Sequence, residues 1–129
     1  MGLIIMKTVP VLGTLVLIGA IIQVGLGLQI SWASMDSLIP VHMIIGIAGL
    51  VLVIALTAIA VKAKAATSVK GAMVVLLILV FAQVGMGMQL LGGADQLAVM
   101  HEANGILIVL LSLVAGGLTM MNARRQKAA

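Results

Sequence analysis

The sequence predicts an all-α integral membrane protein, a single-domain four-helix bundle built from two tandem helix pairs. Three observations carry this prediction: an apolar composition, four long apolar segments and an internal repeat. Hydrophobic residues make up 64% of the 129 residues and charged residues only 8%. That composition leaves too little polar surface to coat a water-soluble globule, so the bilayer is the expected solvent.

Each of the four apolar segments is long enough to cross a bilayer. They cover about residues 8–30, 40–61, 69–91 and 99–121, whereas about 20 apolar residues suffice for a hydrocarbon core about 30 Å thick. Because backbone amides that face lipid must be bonded within their own segment, all four are predicted to be helices. The first is too long and too uniformly apolar for a signal peptide, and it is kept as a span.

The charged residues predict the orientation of the bundle. All basic residues fall before the first segment, around the middle loop or after the fourth segment, whereas the acids fall in or beside the other two loops. Cytoplasmic loops are the ones enriched in lysine and arginine. A multi-pass protein of the cell membrane with both termini in the cytoplasm is therefore predicted, and nucleic acid is not an expected partner. The basic residues are Lys7, Lys62, Lys64, Lys70, Arg124, Arg125 and Lys127, and the acids are Asp36, Asp95 and Glu102.

The internal repeat is clearest in the first and third segments. Residues 23–29 read QVGLGLQ, and residues 83–89, sixty positions later, read QVGMGMQ, so that five of the seven residues agree. Repeat one covers about residues 8–61 and repeat two about residues 69–121. Because two helices separate the copies, the halves are predicted to be parallel and related by a pseudo-two-fold axis along the membrane normal.

A histidine four residues before a glycine follows the shared motif in each half, at His42 and at His101, fifty-nine positions apart. The repeat places both near the outer ends of the second and fourth helices, diagonally across the bundle. An ionisable residue inside a membrane is a functional candidate by default. Two imidazoles on opposing helices can supply both axial ligands of a haem, so a bis-histidine haem b site near the outer face is predicted.

The other predicted cofactor-binding residues are glutamines and glycines at helical spacing. Residues four apart lie on one helix face, and glycines there are expected to clear space for a porphyrin ring. The set accompanying the two histidines is Gln23, Gly27, Gly46, Gln83, Gly87 and Gly105.

Other interpretations of these residues stay open. Small residues at helical spacing also mediate close helix packing, and glutamines also bond between helices. Met43 and Met100 adjoin the histidines, which leaves a copper site as an alternative to haem. The rival functional classes are a small transporter or channel and a structural subunit without cofactor. Coupled transport ordinarily uses a carboxylate inside the membrane, and Glu102 lies only at an outer helix end.

The chain resembles the haem A synthase-like membrane cytochromes, over essentially its whole length and as one four-helix half. The matching residues are Gln23, Gly27 and His42 in one repeat and Gln83, Gly87 and His101 in the other. The resemblance implies a haem held by paired histidines on the outer side. In that family the oxidising half has a glutamate three residues before a ligand histidine, whereas Ile39 and Ala98 stand there. A cytochrome is therefore implied rather than a haem A synthase.

Electron transfer is the function that these features predict, by the chain alone or as a subunit of a respiratory complex, with no enzymatic activity of its own expected. Bis-histidine ligation leaves no open coordination position, which suits outer-sphere electron exchange. Backbone carbonyls, Gln29 or Gln89 are expected to fix the other nitrogen of each imidazole. The expected partners are the bilayer, an outer-face electron donor, a quinol or a redox subunit, and further copies of the chain.

Overall fold

A computed structural model describes the backbone of residues 2–63 and 65–128 and the side-chain surroundings of residues 11–63 and 65–125. Over these residues the chain forms four α-helices and no strand. The helices are α1 (Gly2–Ala33), α2 (Ile39–Lys62), α3 (Thr67–Leu91) and α4 (Ala98–Ala128). The side chains of Lys7, Lys64 and Lys127, which contribute to the predicted orientation, lie outside the described set.

Each helix contains a stretch that is long and apolar enough to cross a membrane. The stretches are Val11–Ala33, Asp36–Lys62, Thr67–Leu91 and Asp95–Arg125. The prediction of an all-helical protein with four candidate membrane spans is thereby confirmed, on length and composition. Lipid contact fits the many large apolar side chains that point outward, such as Ile44, Ile78 and Phe81.

Helix boundaries differ from the predicted ones by a few residues. Helix α1 continues through residues 31–33, which were expected in a loop, and short 3₁₀ turns, Asp36–Leu38 and Asp95–Leu97, precede α2 and α4. Pro40 lies in the first turn of α2, where a proline costs nothing because its missing N–H would have no helical partner.

The loop before α2 and the loop before α4 are built alike. Each contains one residue with left-handed backbone, Ser34 with φ 53° and Gly93 with φ 88°. Each also bonds back to the preceding helix: the Met35 amide donates to the Gln29 carbonyl at 3.2 Å, and the Ala94 amide to the Gln89 carbonyl at 3.1 Å. The histidine comes eight residues after the left-handed residue in both halves, so each loop sets its histidine as the fourth residue of the next helix.

The four helices are arranged in a ring. Helix α1 packs against α2 and α4, and α3 packs against the same two, whereas the described residues show no packing of α1 on α3 or of α2 on α4. Helices α2 and α4, which carry the histidines, are therefore diagonal across the bundle, the arrangement that the repeat predicts.

The tightly packed core lies towards the basic end of the bundle, on the side of α3. Val53 and Leu56 of α2 and Val69, Met73 and Leu76 of α3 are almost completely buried, whereas Val16 is the one described residue of α1 in this core. Two buried threonine hydroxyls bond within their own helices: Thr57 donates to the Val53 carbonyl at 2.8 Å and Thr119 to the Ala115 carbonyl at 2.7 Å. The opposite end of the bundle, which carries the histidines, is packed less tightly on the side of α1.

Candidate functional site

The two histidines meet across the diagonal of the bundle. The ring centroids of His42 and His101 are 6.0 Å apart, and the ring planes are tilted by 57°. Each imidazole is half-buried. Two imidazoles at this distance, inside an apolar bundle, are a candidate pair of ligands for one metal ion.

Each imidazole packs against a motif glycine on a neighbouring helix. A Cβ atom added to Gly27 would lie 3.5 Å from Cε1 of His42, and one added to Gly87 would lie 3.2 Å from Cε1 of His101. These two glycines therefore make room for the imidazoles themselves, which approach the helix backbone closely. Gly27 also lines the cavity beside the histidines, and the sequence-based expectation that these glycines clear space for a porphyrin stays a prediction.

In the first half, Gln23 supports the backbone of His42. Its side-chain amide donates to the His42 carbonyl at 2.8 Å. A Cβ atom on Gly46 would lie 2.7 Å from the same amide nitrogen, so only glycine fits there without a shift of the glutamine. The glutamine oxygen, Oε1, is buried and has no hydrogen-bond partner among the described residues.

In the second half, the glutamine contacts the imidazole ring instead. Nε2 of Gln83 lies 3.1 Å from Nε2 of His101. Asn104, on the next turn of α4, donates to Oε1 of Gln83 at 2.7 Å and to the Leu79 carbonyl at 2.9 Å. Asn104 was not among the residues predicted for the site. Its signal was a polar residue three positions after a histidine, on the same helix face.

Three buried polar atoms at this site have no hydrogen-bond partner in the part of the chain that the structure describes. They are Nδ1 of His42, Nδ1 of His101 and Oε1 of Gln23. Buried polar groups are nearly always paired in native proteins, and each exception calls for an explanation such as a bound ligand or ion. Three exceptions lie within one small region, which makes it the candidate ligand site among the described residues.

A cavity of about 440 Å³ adjoins the histidines, and it is lined by both imidazoles and by Gln23 and Gln83. Most of its other lining is apolar, and Trp32 and Glu102 line it at its outer end. This size and composition fall within the range of about 300–1,000 Å³ that is typical of ligand pockets.

The cavity lies on the first-half side of the histidine pair because small residues line it there. Gly19, Ala20, Ala48 and Gly49 all belong to its wall. The corresponding residues of the second half, sixty positions later in α3 and fifty-nine positions later in α4, are Leu79, Val80, Leu107 and Ile108. Larger side chains thus stand in the second half where the first half leaves space.

Several candidate residues lie away from this site. Met43 and Met100 are 38% and 60% exposed, so both side chains point at least partly out of the bundle, and the copper alternative stays a prediction. Gln29 is exposed, and Gln89 donates to the Gly85 carbonyl of its own helix at 3.5 Å. The described residues contain no group of three or more His, Cys, Asp or Glu side chains, so a metal site within them would rest on the histidine pair.

Comparison with protein-family models, curated proteins and solved structures returned no match. Function therefore has to be inferred from the chemistry of the site itself.

Proposed function

We propose that this chain is a membrane cytochrome of the b type, which binds one haem between His42 and His101 and transfers single electrons near one face of the bilayer. The observation that carries the proposal is the 6.0 Å separation of the two imidazole rings. Both are neutral donors on diagonal helices, and no other described cluster offers comparable ligands.

The separation fits one metal ion shared by the two rings. Since a metal–imidazole bond is about 2 Å long and a ring nitrogen lies about 1 Å from the ring centre, ligation from both sides requires ring centres about 6 Å apart. The observed distance has this value.

The remaining residues of the site have supporting parts in this proposal. Gly27 and Gly87 let each imidazole lie against the backbone of a neighbouring helix, which restricts its orientation. Gly19 and Gly49 leave space for the edge of a large planar ligand. The apolar wall excludes water. A haem held by His42 and His101 would supply a one-electron couple.

The proposal also includes the orientation and the pseudo-two-fold repeat predicted from sequence. The described basic residues Lys62, Lys70, Arg124 and Arg125 lie at the helix ends opposite to the histidines, which supports cytoplasmic termini and a haem near the outer face. The equivalent loops and the equivalent histidine–glycine contacts support the repeat. An outer-face donor, a quinol or a partner redox subunit would then exchange electrons with the haem.

Haem titration of the purified protein in detergent tests the proposal. We expect uptake of one haem per chain and a sharp reduced-minus-oxidised absorbance spectrum of low-spin type. His42→Ala and His101→Ala should each abolish that spectrum. Met43→Ala and Met100→Ala, one residue away and exposed, are matched controls that should retain it.

The opposite outcomes would reject the cytochrome. They are a wild-type protein that stays colourless with haem, or a low-spin spectrum that survives the loss of either imidazole.

A further inference from the structure

We propose that Asn104 and Gln83 are positioning residues that fix the tautomer of His101 in the haem-free protein, so that its lone pair lies on Nε2, and that the first half has no equivalent device. The inference deepens the proposed function and rests on it for its purpose, because an imidazole binds a metal only through a nitrogen that presents a lone pair.

The chain of hydrogen bonds starts at a backbone carbonyl, which can only accept. Since the Leu79 carbonyl lies 2.9 Å from Nδ2 of Asn104, that atom must be the donating amide nitrogen. The same nitrogen lies 2.7 Å from Gln83 and therefore faces its oxygen, Oε1. The orientation of both amides follows from the hydrogen-bond network, and the amide nitrogen of Gln83 is left facing the imidazole.

This arrangement determines the protonation of the His101 ring. Nε2 of Gln83 is a donor only, so Nε2 of His101, 3.1 Å away, must accept. A neutral imidazole that accepts at Nε2 carries its proton on Nδ1. In a doubly protonated ring, the N–H at Nε2 would face the donating amide of Gln83, and no hydrogen bond could form. The Gln83 amide thus fixes the lone pair on Nε2, and a metal bound at this nitrogen would replace the amide as its partner.

No described side chain supports the His42 ring in this way. The amide of Gln23 donates to the backbone carbonyl of His42 rather than to its ring, and Ile45 stands fifty-nine positions before Asn104, at the equivalent place in α2. Among the described residues, no side chain hydrogen-bonds to the His42 ring. The two imidazoles are therefore equivalent in sequence motif but not in preorganisation.

Nitrogen NMR of haem-free protein labelled with ¹⁵N-histidine tests this inference directly. The chain has only two histidines, and His42→Ala assigns the signals. At a pH of about 9, where an unperturbed imidazole is neutral, we expect His101 to show a protonated Nδ1 and an unprotonated Nε2. We expect the His42 nitrogen shifts to lie closer to the average of the two tautomers than those of His101, because, among the described residues, only the backbone of Gln23 and no side chain approaches its ring as a hydrogen-bond partner.

Asn104→Ile introduces the residue that the first half has at the equivalent position, Ile45. It should move the His101 nitrogen shifts towards the averaged values. Asn122→Ile, the same change elsewhere on α4, should leave them unchanged. A wild-type His101 protonated at Nε2, or shifts that Asn104→Ile does not alter, would overturn the inference. If Asn104→Ile does not fold, the wild-type spectrum still shows which nitrogen of His101 is protonated. Because no haem is present, a failure of haem binding would leave this result intact, and the two proposals fail separately.

Discussion

The two halves of the bundle share a motif but differ in how they surround their histidines. The first half lines a cavity with Gly19 and Gly49, whereas the second half has Leu79 and Ile108 at those places. The second half instead places its imidazole in a hydrogen-bonded network, in which Asn104 bonds to Gln83 and Gln83 to His101. A repeat can therefore keep both candidate ligands while dividing the other tasks, with one half providing space and the other providing position.

The glycine contacts show the same division. In the first half the tightest approach is at Gly46, where an added Cβ atom would lie 2.7 Å from the Gln23 amide nitrogen. The tightest approach to an imidazole is in the second half, at Gly87, where the corresponding distance is 3.2 Å. Equivalent glycines therefore face the same kind of neighbour, a glutamine Nε2 or a histidine Cε1, at different distances. Variants that exchange residues between the halves test whether this division is real.

The largest effect is expected from filling the cavity. Gly49→Ile imports the residue that the second half carries at Ile108, and nothing lies within 4 Å of a Cβ atom at position 49, so the new side chain can enter the cavity and compete with haem. We expect haem affinity to fall about 100-fold, or about 2.7 kcal/mol, within the range of overpacking effects. Haem titration measures this, with Gly117→Ile as control because that position is exposed and outside the cavity. Unchanged affinity would show that haem does not use the first-half space.

The next effect concerns the packed half. Leu76→Ala removes a side chain that is 1% exposed and should lower the free energy of unfolding by about 2 kcal/mol. The equivalent first-half change, Val16→Ala, should cost about half as much, because a smaller side chain is removed beside a cavity. Equilibrium unfolding in mixed micelles compares them, with lipid-facing Ile78→Ala expected within about 0.5 kcal/mol of wild type. Equal losses of unfolding free energy for Val16→Ala and Leu76→Ala would contradict the tighter packing of the second half.

A smaller effect distinguishes the two glycines that contact glutamines. Gly46→Ala must displace the Gln23 amide and weaken its bond to the His42 carbonyl, at a cost of about 1 kcal/mol in unfolding free energy. Gly105→Ala should cost less than about 0.5 kcal/mol, because its Cβ atom would lie 3.4 Å from Gln83, close to ordinary contact. The same unfolding assay measures both. The reverse order would contradict the assignment of the tighter contact to the first half.

The smallest effect is expected at the glycines beside the imidazoles. Gly87→Ala should weaken haem binding about threefold, since the His101 ring must shift by a few tenths of an ångström, whereas Gly27→Ala should leave affinity within about 1.5-fold of wild type. Parallel haem titrations of the two variants under identical detergent conditions measure the difference. A larger loss of haem affinity for Gly27→Ala than for Gly87→Ala would contradict the assignment of the tighter glycine–imidazole contact to the second half.

The sequence was sufficient for the helices, because the length and apolarity of a membrane span are properties of one segment. The placement of His42 and His101 on diagonal helices also followed, because short loops force neighbouring helices to pack in a ring. The helix ends were displaced by a few residues, since the 3₁₀ turns depend on backbone bonds within the loops that composition does not encode.

The part of the site that was not predicted depends on packing between helices. Whether Gly27 contacts a cofactor or an imidazole is decided by the side chain on the neighbouring helix, which one segment does not reveal. The cavity and Asn104 did leave a signal. Aligning the repeats pairs Gly49 with Ile108 and Ile45 with Asn104, and such differences between otherwise similar halves mark where the halves perform different tasks.

Electron–nuclear double resonance of ferric, haem-loaded protein labelled with ¹⁵N-histidine provides the decisive test of whether one iron is shared by His42 and His101. Because the chain contains only these two histidines, every strongly coupled ¹⁵N nucleus must belong to one of them. We expect couplings from two directly bound histidine nitrogens on a low-spin iron. A single coupled nitrogen, or none, would contradict the shared site.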